Sequence, residues 1–353
     1  MLPTAAAGKV FTTRLLQWHF EANNRDLPWK NEKDAYKIWL SEVILQQTRA
    51  DQALPYYERF TTQYPDVHLL AAAPEDEVFR LWQGLGYYNR CRNLLHTARI
   101  LSREYGGRFP GTYEEILALK GIGSYTAAAI ASFAFGLPYA VLDGNVYRVL
   151  SRYFGISTPI DSPAGKQEFQ ELATRLLPQG QAAAFNQAIM DFGSSVCKPK
   201  SPACTACPLS AGCFAQKKGM VAQLPVKAKK LKVKERHLHY FVLHTEQEVY
   251  LQQRTAKDIW QNLYEFLLIE PVGPYTGTDT WKALQRYHPD AAESVFRNRQ
   301  RLTHQLVVSD FYLIPLDTKP GHLTTGIWVP KDQLKNYAFP KTILSFFNRK
   351  KYF

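Results

Sequence analysis

Leu119-Lys-Gly-Ile-Gly-Ser-Tyr-Thr-Ala-Ala-Ala-Ile130 is the stretch whose reading decides the fold. Gly121 and Gly123 flank one aliphatic residue, so the backbone is free to turn tightly and to approach a ligand closely. Ser124 is a good N-cap for the helix predicted from Tyr125 onward. Just upstream, Thr112-Tyr-Glu-Glu115 is a capping box, Thr at the N-cap and Glu at N3, opening a short helix. The backbone N–H groups around Lys120, Gly121 and Gly123, with the N-terminus of the second helix, would face an anion such as a nucleic-acid phosphate. An ordinary helix–glycine–helix corner uses the same residue types, so this stretch alone leaves both readings open.

Outward from it, residues up to about 220 read as helical. Amphipathic segments with Gly- or Pro-marked breaks are predicted at Phe11–Glu21, Ala35–Thr48, Glu75–Gln83, Tyr88–Tyr105, Tyr113–Ala118, Tyr125–Phe135, Asn145–Phe154 and Ala164–Leu177. Residues 223–236, QLPVKAKKLKVKER, carry six basic side chains and one acid and read as a solvated basic linker. Beyond it the pattern changes to period two. Strands are predicted at 239–243, 248–254, 266–270, 305–316 and 325–329, with helices near Trp281–Tyr287 and Lys341–Phe347. The expected organisation is a mainly α domain over 1–222, the linker at 223–236, and an α+β domain over 237–353.

Cys197, Cys204, Cys207 and Cys213 follow the spacing C-x6-C-x2-C-x5-C. Four thiolates in one loop suggest convergence on a metal. Zinc sites commonly pair close cysteines twice, whereas this run has a single close pair; an iron–sulfur cube takes four thiolates at wider spacings. Zinc and plain buried or disulfide-bonded thiols remain the alternatives. A fifth cysteine, Cys91, stands alone, so the chain is no disulfide framework and suits a reducing compartment. No secretory signal is evident at the N-terminus, and no apolar run of about 18 residues could span a membrane. The net charge of +12 favours a polyanionic partner.

Two carboxyls stand in contrasting contexts. Asp34 is placed to cap the helix that carries Glu42, and Glu42 shares a helical face with Ile38, Trp39 and Leu45. An apolar face should raise its pKa and keep a proton available, as a general acid requires. Asp143, in Val-Leu-Asp-Gly-Asn, precedes the helix Asn145–Phe154 in the N-cap place, where helix N–H groups favour the ionised form. Opposed pressures of this kind suit protonation of a leaving group beside a stabilised cationic sugar. A cap and an edge-exposed surface charge are the simpler readings of the same residues.

LKGIGSYTAAAI, VLDGNV and the cysteine run, in that order, resemble the helix-hairpin-helix DNA glycosylases of the endonuclease III superfamily. LPW followed by WLSEVILQQT is similar to the MutY-type adenine DNA glycosylases. The resemblance spans about residues 10–215. It implies a two-lobed helical domain gripping DNA in the cleft between lobes, with a [4Fe-4S] cluster on the four cysteines. It also implies a monofunctional enzyme that removes adenine opposite 8-oxoguanine, or opposite G, from double-stranded DNA. In such enzymes Glu42 would protonate adenine N7. Asp143 would stabilise the oxocarbenium ion or capture it covalently, and Asn145 would position water or the sugar phosphate. Tyr125 stands where bifunctional members carry a Schiff-base lysine, and a tyrosine cannot form an imine.

The same resemblance assigns Gln47, Thr48, Leu85 and Tyr87 to wedging into the base stack, and Trp29, Lys30 and Gln187 to the adenine pocket. Residues 237–353 resemble the Nudix-like domain of these enzymes, without the acidic metal cluster of a hydrolase. Leu302-Thr303-His304 stands where the family has Phe-Ser-His, the loop that meets 8-oxoguanine. The expected state is a monomer in the cytoplasm of a bacterial cell, associated with the nucleoid. The rivals are a bifunctional lyase, a Nudix hydrolase of oxidised nucleotides and a non-catalytic iron–sulfur DNA-binding protein.

Overall fold

The capping signals are where the helices start. A computed structural model of the chain describes residues 4–228, 233–270, 295–321 and 323–349. Thr4 caps α1 (Ala5–Glu21), and Asp34 caps α2 (Ala35–Leu45) by accepting from Tyr36 N. Thr112 accepts from Glu115 N to open α7 (Tyr113–Ala118). Asp143 accepts from Asn145 N and Val146 N at the head of α9 (Gly144–Phe154). Ser162 caps α10 (Pro163–Leu176). Ser124 does not cap: α8 (Ser124–Phe133) begins on it, and Gly123 is the N-cap with no side-chain bond. The first-turn N–H groups of α8 are therefore not satisfied by a cap.

Other helices carry weaker sequence signals. They are α3 (Ala50–Gln63), α4 (Val67–Ala72), α5 (Glu75–Trp82), α6 (Asn89–Glu104), α11 (Ala182–Ser195) and α12 (Phe214–Lys217). Among these, α3, α4, α11 and α12 were not expected. Pro55 inside α3 reads as a break, because a proline removes one helix hydrogen bond. The helix α11 is apolar on most of its surface, so no period marks it.

The chain divides into two units, Met1–Ala72 with Asn93–Lys230, and Ala73–Arg92 with Leu231–Phe353. The core of the first is built by Phe11 and Leu15 of α1, Leu150 of α9, Phe169 and Leu172 of α10, and Phe185 and Phe192 of α11. Each such side chain contributes about 1.5–3 kcal/mol when fully buried. Asn186 of α11 pins the segment before Asp143. Its Oδ1 accepts from Val141 N at 3.2 Å, and its Nδ2 donates to Tyr139 O at 2.8 Å and Ser132 Oγ at 2.9 Å.

The second unit is a mixed sheet of β1 (Lys234–His244), β2 (Glu248–Gln253), β3 (Tyr264–Glu265), β4 (Leu267–Ile269), β5 (Phe296–Arg301), β6 (Gln305–Pro315) and β7 (Ile327–Pro330). The order is β3-β2-β1-β6-β5, with β4 also on β1 and β7 also on β2. β1 and β6 run parallel, with His239 opposite Asp310 and Tyr240 opposite Phe311; the other pairs are antiparallel. Helix α13 (Lys341–Arg349) packs on the sheet, where Phe346 stacks on Phe311 with ring centroids 4.7 Å apart.

β1 begins at Lys234, inside the stretch read as a linker, because Lys234–Arg236 pair with Gln305–Val307 of β6. β5 was not expected, since three arginines among its six residues mask the alternation. The helix expected near Trp281–Tyr287 lies outside the described residues. The segment Ala73–Arg92 is tied into this unit by hydrogen bonds. Asn262 Nδ2 donates to Glu75 Oε1 at 2.6 Å, Arg92 Nη1 to Gln261 O at 2.7 Å, and Phe339 N to Gln83 Oε1 at 3.0 Å.

Candidate active site

In the first unit α2, α8, α9 and α11 surround a cavity of about 1450 Å³. Glu42 reaches it from α2, where the apolar face leaves the residue only 6% exposed. Burial pushes its pKa up to about 7; the Tyr125 hydroxyl opposes the rise and the Asp143 charge adds to it. Tyr125, in the first turn of α8, neighbours both carboxyls, and its hydroxyl donates to Met190 Sδ at 3.4 Å. Burial, with Glu42 and Asp143 beside it, holds the phenol well above its usual range, so it remains a neutral donor.

Asp143 is held from three sides. Its Oδ1 accepts from Asn145 N at 2.9 Å and Val146 N at 2.8 Å, and its Oδ2 accepts from Asn145 Nδ2 at 2.6 Å. These bonds and the Arg148 charge favour the ionised form, as the N-cap position predicts, but burial outweighs them and the net shift is upward. The contrast between the two carboxyls is thus one of opposing forces, not of opposite shifts. Glu42 has one neutral partner, whereas Asp143 has a fixed set of donors.

Arg148, nearly buried on α9, was not singled out by the sequence. It donates to Asn145 Oδ1 at 2.7 Å, Gly144 O at 3.1 Å, Gly193 O at 2.6 Å and Cys197 O at 2.7 Å. One guanidinium therefore braces the Asp143–Asn145 turn, α11 and the start of the cysteine loop.

The cavity wall includes Trp29, Gln47, Thr48, Gly121, Gly123, Asn145 and Gln187 with the two carboxyls and Tyr125. Gln47 lies just beyond α2 with φ at 55°, a left-handed conformation costly for a side chain other than glycine. Gly121 has φ at 81°, and a Cβ there would meet Asn93 Cβ at 2.5 Å, so the hairpin needs glycine. Lys120 is exposed beside it, and its carbonyl accepts from Thr97 Oγ1 at 2.7 Å. Lys30 is not on the wall: its Nζ donates to Arg25 O at 2.8 Å and lies 3.5 Å from Asp191 Oδ2. The wall carries Arg25 and Asp191 instead. Asp191 is four residues after Gln187 and was legible had α11 been recognised; nothing local marks Arg25.

The remaining expected residues lie in the second unit. Leu302 N donates to Gln305 O at 2.7 Å, which closes a hairpin between β5 and β6 with exposed Thr303 and His304 at its tip. The Thr303 hydroxyl is hydrogen-bonded to the Tyr87 phenol. Tyr87 is 44% exposed, whereas Leu85 is buried and faces the core.

The cysteine loop is tied to α9 by Arg152, which donates to Cys197 Sγ at 3.4 Å, Lys198 O at 2.8 Å, Pro199 O at 3.3 Å and Leu224 O at 3.1 Å. All five cysteines are free thiols. Burial together with the fields of Cys197, Cys213 and Cys204 pushes the Cys207 thiol up to about 11. The four cysteines supply the sulfur donor type of a thiolate-bound cluster. Among the described residues no group of three or more His, Cys, Asp or Glu side chains is arranged to hold a metal ion. No helix among them is long and apolar enough to cross a membrane.

A buried glutamate, a glycine hairpin after it and a capped aspartate after that share one cavity wall, and similarity to known proteins gives the class they belong to, the helix-hairpin-helix base-excision glycosylases. Residues 40–178 match the family model of the HhH-GPD superfamily base excision DNA repair protein, and residues 239–349 match that of the NUDIX domain. An adenine DNA glycosylase of Buchnera aphidicola subsp. Schizaphis graminum is 36% identical over 73% of this chain and 74% of its own. The Homo sapiens adenine DNA glycosylase is 40% identical over 61% of this chain and 41% of its own. A solved thermostable thymine-DNA glycosylase superposes with a TM-score of 0.56 at 34% identity, over 60% of this chain and 98% of that one. An endonuclease III solved with DNA shares the fold at 24% identity, with a TM-score of 0.54 over 62% of this chain and 99% of that one. The chain belongs to the adenine DNA glycosylases. It is an adenine-specific base-excision enzyme, and DNA is its substrate.

Proposed function

We propose that the enzyme is monofunctional and excises adenine paired with 8-oxoguanine, and also with G, through the pair Glu42 and Asp143. The observation that carries this reading is the one cavity wall shared by a carboxyl lifted to about 7, a carboxylate fixed by helix N–H groups, and Tyr125. Glu42 delivers its proton to adenine N7. The C1′–N9 bond then breaks, with its electron pair leaving on N9, and Asp143 stabilises or traps the sugar cation until water adds at C1′. Asn145, fixed by Arg148, positions that water or the sugar phosphate. Tyr125 offers no amine for an imine, so the strand is left intact at the abasic site.

Trp29 and Gln187 form the adenine pocket, with Lys30 behind it. The hairpin at Lys120, Gly121 and Gly123 takes a phosphate. Gln47, Thr48 and Tyr87 enter the stack, with Leu85 packing beneath the tip. Leu302, Thr303 and His304 meet the 8-oxoguanine, so residues 237–353 work as a mispair reader together with the GLGYY segment. Cys197, Cys204, Cys207 and Cys213 would hold a [4Fe-4S] cluster that cross-links the loop. The exposed Lys198, Lys200, Lys217 and Lys218 carried by that loop then face phosphates. The enzyme acts as a monomer in the cytoplasm.

Single-turnover reaction with a duplex carrying adenine opposite 8-oxoguanine should release free adenine and leave an alkali-labile strand. Glu42→Gln should lower the rate by at least about a hundred-fold, the scale of general acid catalysis. Unchanged release by that variant would remove Glu42 from the mechanism. Spontaneous nicking with a borohydride-trapped adduct would establish the lyase reading instead.

A further inference from the structure

The side chains that α11 turns to the cavity are Gln187, Met190, Asp191 and Ser194, one helical face repeating every three or four residues. Asp191 is the unexpected member, because its side chain is 0% exposed and yet ionic. Its Oδ1 accepts from Arg25 Nη1 at 2.9 Å, its Oδ2 from Asn23 Nδ2 at 2.9 Å, and Lys30 Nζ stands 3.5 Å from Oδ2. Arg25 Nη1 also donates to Ser194 Oγ at 2.9 Å. A buried carboxylate with two cations needs a reason, since desolvating charge is costly unless the partners do further work.

We propose that Asp191 is a positioning and charge-balancing residue of the base pocket: it fixes Arg25 on the cavity wall and cancels one of the two cations, Arg25 on the wall and Lys30 behind it, that it pairs with, so that the pocket admits a proton onto the base. The proposal rests on the reading of Glu42 as the acid. The reaction builds positive charge on the base and then on the sugar, and any uncompensated cation nearby opposes both. With Asp191 in place, Arg25 and Lys30 present one net positive charge; without it they present two. Burial, with Lys30 beside it, lowers the pKa of His19 on α1, which favours its neutral form. The groups that act on Glu42 at close range are Tyr125 from α8 and Asp143 from the head of α9, and Arg25, Arg49, Asp51 and Asp191 are the charged side chains that share its cavity.

The test is the high-pH limb of the single-turnover rate with the full-length enzyme and an adenine:8-oxoguanine duplex. Wild type should lose rate as Glu42 ionises. Asp191→Asn should move that limb to lower pH by about one unit, a roughly ten-fold slower step on its alkaline side. Asp191→Glu, which keeps the charge, should hold the limb near its wild-type place. The double variant Arg25→Gln/Asp191→Asn restores one net positive charge and should bring the limb back, whatever it does to substrate affinity. A purely structural Asp191 would lower the active fraction and leave the limb where it was, and that result overturns the proposal. If Asp191→Asn fails to fold, Arg25→Gln alone decides, since it should move the limb to higher pH and an unmoved limb refutes the charge balance. Absence of any high-pH limb in wild type would instead strike the role of Glu42, so the two readings fail separately.

Discussion

Burial that keeps Glu42 protonated also acts on folding. An unfolded glutamate titrates at its ordinary 4.5, while the folded one holds its proton to about 7. Below 4.5 both states are protonated and the site costs nothing. As pH rises towards 7 the unfolded chain releases a proton that the folded one keeps, so stability falls, and above 7 the whole penalty is present. Glu42→Gln removes it. The gain of the variant over wild type should therefore be larger at pH about 8 than at pH about 4, by on the order of 3 kcal/mol. Urea midpoints of both proteins at the two pH values measure this, and a difference that does not vary with pH would contradict the buried acid. Asp143 has donors that Glu42 lacks, so one site holds a proton donor beside a carboxylate without needing a metal at either.

At the scale of elements, the crossing of α11 and α9 sets the geometry of the site. A Cβ on Gly193 would meet Asn145 Cβ at 2.6 Å and its Cα and O at 3.1 Å. Alanine normally gains about 1 kcal/mol over glycine inside a helix. Gly193→Ala should instead destabilise by roughly 1–3 kcal/mol, the usual effect of overpacking. Because Asn145 and Asp143 would shift with the head of α9, the chemical step should slow by about ten-fold or more. Thermal melts and single-turnover rates check both, and a more stable variant with wild-type rate would show that the helices have room.

The same crossing marks what could be read in advance. Asp34, Thr112 and Asp143 are legible because a cap is a local event, settled within three residues. Glu42 is legible through its helical face. The whole of α11 is not, because a helix buried on most sides loses its period, and with it went Asp191 and the shelter of Arg25, partners 166 positions apart. Gln187 came only through the family resemblance. β5 was hidden by Arg297, Arg299 and Arg301, which answer to Asp310 and to solvent rather than to a core.

At the scale of the whole molecule, covalent order and cohesion part company. Glu75, Gln83 and Arg92 find hydrogen-bond partners at Asn262, Phe339 and Gln261, far along the chain. A chain ending at residue 228 would leave Ala73–Arg92 without them, losing three bonds worth about 1 kcal/mol each. Its helical melt should shift down by roughly 5–10 °C, given the size scaling of thermal midpoints. A truncated chain melting with the full-length helical transition would show those bonds to be idle.

The Tyr87–Thr303 hydrogen bond draws a further boundary, one that concerns inheritance rather than stability. Two segments more than two hundred residues apart share a single tip, so neither can drift without the other. A breeder of hybrid enzymes who exchanged only the C-terminal third between relatives would pair a foreign hairpin with a native tyrosine. Exchanging Ala73–Arg92 along with it would transplant the tip whole.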